Sequence, residues 1–158
     1  MTGVQTCALP IFLAFAVKEY TPEGKVVRTF RTDLEDLGGR KAENWPFTAI
    51  RLPNGNTLIN CTYGNLSLEV DPSGKVVWEL SNKDFDQPLI KDACGAQRLP
   101  NGNTVITSYG IGANRTKLIE VTPARKLVWT YTDPTPHGIH HFQILDTNGT
   151  PLEGTPLR

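Results

Sequence analysis

A seven-residue string occurs twice, as Arg51-Leu52-Pro53-Asn54-Gly55-Asn56-Thr57 and as Arg98-Leu99-Pro100-Asn101-Gly102-Asn103-Thr104, 47 residues apart. Identity of that length at a fixed offset makes this a repeat protein before any other property is weighed. A second unit returns three times, as Lys18-Glu19-Tyr20-Thr21-Pro22-Glu23-Gly24-Lys25-Val26-Val27, then Leu68-Glu69-Val70-Asp71-Pro72-Ser73-Gly74-Lys75-Val76-Val77-Trp78, then Ile119-Glu120-Val121-Thr122-Pro123-Ala124-Arg125-Lys126-Leu127-Val128-Trp129. Glu19, Glu69 and Glu120 are spaced by 50 and 51 residues. A weaker third copy of the first unit, Gln143-Ile144-Leu145-Asp146-Thr147-Asn148-Gly149, follows when Leu145 is aligned with Leu99.

Each unit reads as strands separated by Asn-Gly and Pro-Ser-Gly turn chemistry, which supplies positive φ without strain. One repeat predicts strand A at about Phe47 to Leu52, B at Thr57 to Tyr63, C at Ser67 to Asp71 and D at Val76 to Leu80. Four antiparallel strands at a period of about 40–50 residues describe a β-propeller blade. The units then run as strands C and D over residues 17–31, two complete blades over 45–80 and 93–131, and the start of another over 139–150. The expected fold class is all-β, a β-propeller fragment of two complete blades with partial blades at both ends. A closed ring needs about four to eight blades, so the expected partners are missing blades of the same chain or another copy through self-association. Phe142 to Leu145 is expected to be a closing strand, and a short helical turn is expected near Asp33 to Leu37.

Composition removes several function classes. Sixteen Lys and Arg balance 16 Asp and Glu, which leaves no basic excess for nucleic acid. No apolar run approaches the ~20 residues of a membrane span. Residues 1–11, MTGVQTCALPI, carry no charge and no periodicity. They resemble the in-frame translation of a sequencing-library adapter joined to a metagenomic read, so they are set aside from fold reasoning, leaving 12–158 as a partial propeller domain. Cys61 and Cys94, 33 residues apart, form no metal motif and suit small apolar strand positions. The sequons at Asn60, Asn65, Asn114 and Asn148 are accounted for by turn chemistry.

The string RLPNGNTLI followed by EVDPSGKVVWEL resembles the repeat of bacterial β-propellers in the pyrroloquinoline-quinone-like and arylsulfotransferase-like superfamily, over residues 17–150. The resemblance implies a propeller fold, export to the periplasm or beyond, and a blade-docking role for Trp78 and Trp129. The quinoprotein pattern Asp-x-x-Thr-Gly-Lys-x-x-Trp is one residue longer before its glycine than Asp71 to Trp78, and Ala124-Arg125 replaces Ser-Gly in the third copy. No cofactor is expected.

Turn chemistry accounts for the polar residues on the A–B and C–D side of the blades. The opposite, funnel side carries the longer connections and a polar set that turns do not need, including Asp84, Asp86, Lys91 and the three histidines. From it come the candidate ligand-binding residues Trp45, Tyr63, Asp92, Tyr109, Arg115 and His137. Aligning the inner strands puts His140 with Cys94 and Phe47, and His141 with Gly95 and Thr48, at the axis of the ring. Imidazole there suits general acid–base or nucleophilic chemistry, and arylsulfotransferase-like propellers imply such a histidine, so His140 and His141 are the catalytic candidates. A metal site is not expected, because the prolines before them disfavour the helix on which i, i+3, i+4 spacing would converge. The leading expectation is a binding or interaction scaffold that takes a small-molecule or protein ligand at the funnel face. The alternative is an arylsulfotransferase-like transferase, with a lyase or quinoprotein dehydrogenase ranked below both.

Overall fold

In the computed structural model, residues 7–110 and 112–152 are described. Strands β1 (Cys7–Ile11), β2 (Ala16–Tyr20) and β3 (Val26–Arg31) form a three-stranded antiparallel sheet. A four-stranded meander follows, β4 (Pro46–Arg51), β5 (Thr57–Cys61), β6 (Leu66–Val70) and β7 (Val76–Ser81). A second repeats it as β8 (Ala93–Arg98), β9 (Thr104–Ser108), β10 (Arg115–Val121) and β11 (Leu127–Asp133), and a short hairpin, β12 (Asp146–Thr147) with β13 (Thr150–Pro151), comes last. The all-β, blade-by-blade expectation holds. No helix among the described residues is long and apolar enough to cross a membrane.

Two elements differ from expectation. The first sheet has three strands, because Cys7–Ile11 of the adapter-like segment pairs in register with β2, from Cys7 opposite Tyr20 to Ile11 opposite Ala16; residues 1–6 of that segment and residues 153–158 lie outside the described residues. Phe142 to Leu145 is not a strand, since regular pairing begins only at Asp146. Its backbone is held by a side chain instead, with Gln97 accepting from the N–H and donating to the carbonyl of Ile144. The expected helical turn is present as a 3-10 turn at Glu35–Leu37.

The repeated strings become repeated geometry. Gly55 and Gly102 take φ of 88° and 87° in the A–B turns, where Asn54 and Asn101 each accept an N–H bond from the residue two places on. The C–D turn of the first four-stranded meander has Gly74 at φ 90°, but its copy in the second puts Arg125 there at φ 63°. The Arg125 side chain reaches back to Asp84 of the preceding blade at 3.0 Å, a contact that offsets the left-handed backbone cost of a non-glycine residue. All three C–D pairs carry the same register shift, after Glu19, Glu69 and Glu120.

Hydrophobic cores lie between consecutive sheets. Val17 and Phe30 pack on Ile59, Cys61, Leu66, Leu68 and Val70; Leu80 packs on Ile90, Ala93, Ile106, Ile119 and Val121; Leu99, Val105 and Leu118 pack on Ile139, Phe142, Ile144 and Leu152. Polar clasps add direction. Arg51 meets Glu19 at 2.7 Å and Arg98 meets Glu69 at 2.6 Å, each across a blade interface. Trp78 fulfils its docking role by donating from Nε1 to the Pro123 carbonyl of the next blade at 2.9 Å. Trp129 makes no such hydrogen bond among the described residues and is 42% exposed, stacked beside Tyr131.

Burial pushes the Glu69 carboxyl up, but hydrogen bonds from Asn56, Arg98 and Asn54 outweigh it and hold it below the ordinary glutamate range. A depressed folded value means that its contribution is complete above the unfolded value near ~4.3 and is lost as pH falls through the folded one. Glu69→Gln is therefore expected to cost about 1–3 kcal/mol at pH 7. Chemical denaturation of both proteins from pH 7 to pH 3 checks this, with the gap between them narrowing toward acid.

Candidate functional site

The inner strands β4 and β8 and the irregular segment 139–145 bring their first residues together, and what they hold there follows from one bulge. In β8 the register slips between Ala93 and Ala96, leaving Cys94 and Gly95 outside the ladder. Their two N–H groups donate to Thr107 Oγ1 at 3.1 and 2.8 Å, while their two carbonyls accept from Asn60 Nδ2 of the preceding blade at 3.0 and 2.8 Å. Ser67 donates to Asn60 Oδ1 at 2.6 Å, which fixes the amide orientation. All four backbone groups that the bulge would orphan are thus satisfied by buried side chains.

The bulge lets the next segment come close. A β-carbon at Gly95 would lie 2.6 Å from the His140 carbonyl oxygen, and one at Gly138 would overlap the Tyr109 carbonyl oxygen and ring. Only glycine permits either approach. The result is an aromatic platform. The His140 ring stacks on Tyr109 at 4.3 Å between centroids with 8° between planes, and on Phe47 at 5.5 Å and 19°. His141 leans on the same Phe47 ring at 5.9 Å. Both histidines are exposed, whereas Tyr109 and Phe47 are half-buried. Because residues 139–145 form no strand, the two imidazoles do not alternate across a sheet and instead share one neighbour.

The remaining candidates do not join this cluster. Trp45 and Tyr63 stack with Phe12, each pair of rings at 4.8 Å for Phe12–Trp45 and Trp45–Tyr63, and Phe15 closes the group at 6.2 Å from Trp45. The Trp45 Nε1 is buried with no hydrogen-bond partner among the described residues. Asp92 is a turn residue: at φ 54° its N–H donates to Asn65 Oδ1, its carbonyl accepts from the Tyr109 N–H, and its carboxylate sits 3.9 Å from Lys91 Nζ. Arg115 lies exposed on the wall of a separate cleft of about 470 Å³ that also includes Lys91 and Ser108. His137 is exposed, in the loop whose Pro136 carbonyl accepts from the Gly112 N–H; Ile111, between Gly110 and Gly112, lies outside the described residues.

Sequence reasoning missed Phe47, Phe12 and the Asn60–Thr107 clamp. Phe47 shared an aligned column with His140, and that column was the available signal for it. Asp84 is occupied structurally, capping the turn after β7 by accepting the Ser81 N–H and pairing with Arg125. Cys61 and Cys94 are free and buried. Burial pushes the Cys61 thiol up, and it takes Cys94 to about 11 with the Asp92 charge adding to the effect, so neither supplies a thiolate near neutral pH. Among the described residues no cluster of three His, Cys, Asp or Glu side chains is arranged to hold a metal.

No protein-family model and no curated protein sequence matches this chain. Among solved structures it is similar to a protein of unknown function from Bacteroides caccae, with a TM-score of 0.68 and 20% identity over 85% of this chain and 48% of that one. It is also similar to virginiamycin B lyase from Staphylococcus aureus, with a TM-score of 0.59 and 14% identity over 83% of this chain and 39% of that one. A catalytically inactive histidine-to-alanine variant of that lyase, solved with quinupristin, gives a TM-score of 0.57 at 14% identity over 86% of this chain and 44% of that one. The chain spans less than half the length of each. At these identities the likeness is one of fold, a β-propeller-like arrangement, and that fold is all these findings share with the superfamily suggested by the repeats.

Proposed function

We propose that the chain is a binding scaffold of a propeller, and that its ligand is a small flat molecule, aromatic or conjugated, received on the imidazole platform at the start of the inner strands. The observation that carries this reading is the stack of His140 on Tyr109 and Phe47, with His141 against the same Phe47 and both imidazoles open to solvent. Ring faces reward a flat partner, and the imidazole nitrogens add donors and acceptors that orient it. The Trp45–Tyr63–Phe12 cluster flanks the same end of β4 and extends the apolar surface available to a larger ligand. The partial ring belongs, on this reading, to an exported protein whose other blades, or a second copy, cover the exposed face of β11.

A second reading is transfer chemistry of the arylsulfotransferase-like kind at His140 or His141. Two observations favour it: both rings are exposed, and a lyase of similar fold is inactive when a histidine is replaced by alanine. Titration with p-nitrophenol and with p-nitrophenyl sulfate plus a phenol acceptor separates the readings. The scaffold reading expects saturable binding that weakens roughly tenfold in His140→Ala and Tyr109→Ala, with no turnover. Turnover that is abolished in His140→Ala or His141→Ala moves the assignment to the transferase, and absence of both binding and turnover contradicts the platform as a site for aromatic ligands.

The platform also depends on a close approach that one methyl group destroys. Gly138→Ala is expected to destabilise the protein by roughly 1–3 kcal/mol and to release the His140 ring from Tyr109. Proton NMR checks this, because stacking shifts the His140 ring resonances upfield and the variant should return them to values of a free imidazole.

A further inference from the structure

At the turn-bearing end of the inner strands, opposite to the platform, each interface between the strand-rich sheets is closed by one guanidinium. Arg51 reaches Glu19, and Arg98 reaches Glu69. Arg98 also lies 5.8 Å from the ring centroid of Trp78, the residue directly across the ladder from Glu69. The cation is therefore held by a carboxylate and an indole face together. Asn56 occupies Glu69 Oε1 and Arg98 takes Oε2.

The third blade repeats the acceptor half of this arrangement. Glu120 stands directly across the ladder from Trp129, and Asn103 donates to Glu120 Oε1 at 2.7 Å as Asn56 does to Glu69. The donor half is replaced: aligning Gln143 with Gln97 puts Ile144 in the place of Arg98, and Ile144 packs on Leu99, Val105 and Leu118. Among the described residues no cation pairs with Glu120. A cleft of about 500 Å³ opens there, walled by Glu120, Trp129, Asn103, Ile144 and Asp146, with no Lys or Arg in its lining.

We propose that this cleft binds an alkylguanidinium group supplied from outside the strand, either as a free ion or as the arginine side chain of a peptide. The chain itself shows the binding mode, because Arg98 makes the same two contacts one blade earlier. A planar guanidinium can bond the remaining Glu120 oxygen while it stacks on the indole, whereas an ammonium is a strongly hydrated point charge without that planar match. The site is independent of the platform.

The test follows the Trp129 indole N–H resonance in the full chain, assigned through Trp129→Phe, during titration with agmatine, with acetyl-Ala-Arg-Ala-amide and with its lysine counterpart. The guanidinium compounds are expected to shift Trp129 saturably and to leave Trp78 unmoved, with Glu120→Gln weakening the response roughly tenfold. Equal response to agmatine and peptide assigns the site to free alkylguanidinium ions, and a tighter peptide assigns it to arginine within a chain. Ile144→Arg supplies the group in cis, and it should raise the melting temperature, lose that gain in a Glu120→Gln background and abolish the titration. An unmoved Trp129, an equal response to the lysine peptide, or an Ile144→Arg protein that still titrates overturns the proposal. Should Ile144→Arg fail to fold, the Glu120→Gln titration decides alone.

Discussion

The arginine that crosses each blade interface to a nearly buried glutamate is the contact on which the rest of this structure depends. A blade of this kind buries both faces of its sheet, so its position is set by neighbours rather than by its own hydrogen-bonded ladder. Apolar packing between sheets is strong but tolerates sliding, because Val, Ile and Leu surfaces carry little directional information. Arg51 to Glu19 and Arg98 to Glu69 remove that freedom. With side-chain exposures of only 7% and 8%, Glu19 and Glu69 would carry a heavy desolvation cost without their partners, which makes a slipped register unfavourable as well as unrewarded.

What the clasps fix at one end of the inner strands, the Asn60 clamp fixes at the other. Asn60 holds the carbonyls of Cys94 and Gly95 across the interface while Thr107 holds their N–H groups from within the blade. This lets a bulge of two residues persist at the innermost strand without a buried unsatisfied group. The missing side chain of Gly95 leaves room for the backbone of His140 and His141, and Gly138 brings the same segment onto Tyr109. The exposed imidazoles are thus a consequence of backbone packing several residues away, and their candidacy as a ligand platform rests on that support.

Strand positions, turns and blade order were legible in the sequence because each is a local matter. Asn54-Gly55 and Asp71-Pro72-Ser73-Gly74 admit few conformations, and period-2 apolar runs between them leave one reading. The candidate site was legible only as an alignment column. That column put Phe47, Cys94 and His140 at the same place in successive blades, but it could not show that the Phe47 and His140 rings stack on each other. It also suggested a strand through His141, whereas the segment stays irregular because Gln97 and the neighbouring apolar core hold it without a ladder. The Trp45–Tyr63 pair, Asp92 and Arg115 lie apart from the platform for a related reason: sharing a face of the disc does not by itself bring side chains to one place. Arg125 is the reverse case. A departure from the repeat that seemed only to weaken the pattern is a contact to Asp84 of the preceding blade.

The claim that interface ion pairs set the blade arrangement is tested most directly by a double-mutant cycle on Glu69 and Arg98, using Glu69→Gln, Arg98→Met and the pair, with unfolding free energies measured at neutral pH and moderate salt. A coupling energy of about 1.5–3 kcal/mol is predicted, as expected for a charge-assisted bond between side chains that are largely removed from water. A coupling near zero would mean that the two residues contribute separately and that apolar packing alone orders the blades, which would contradict this account.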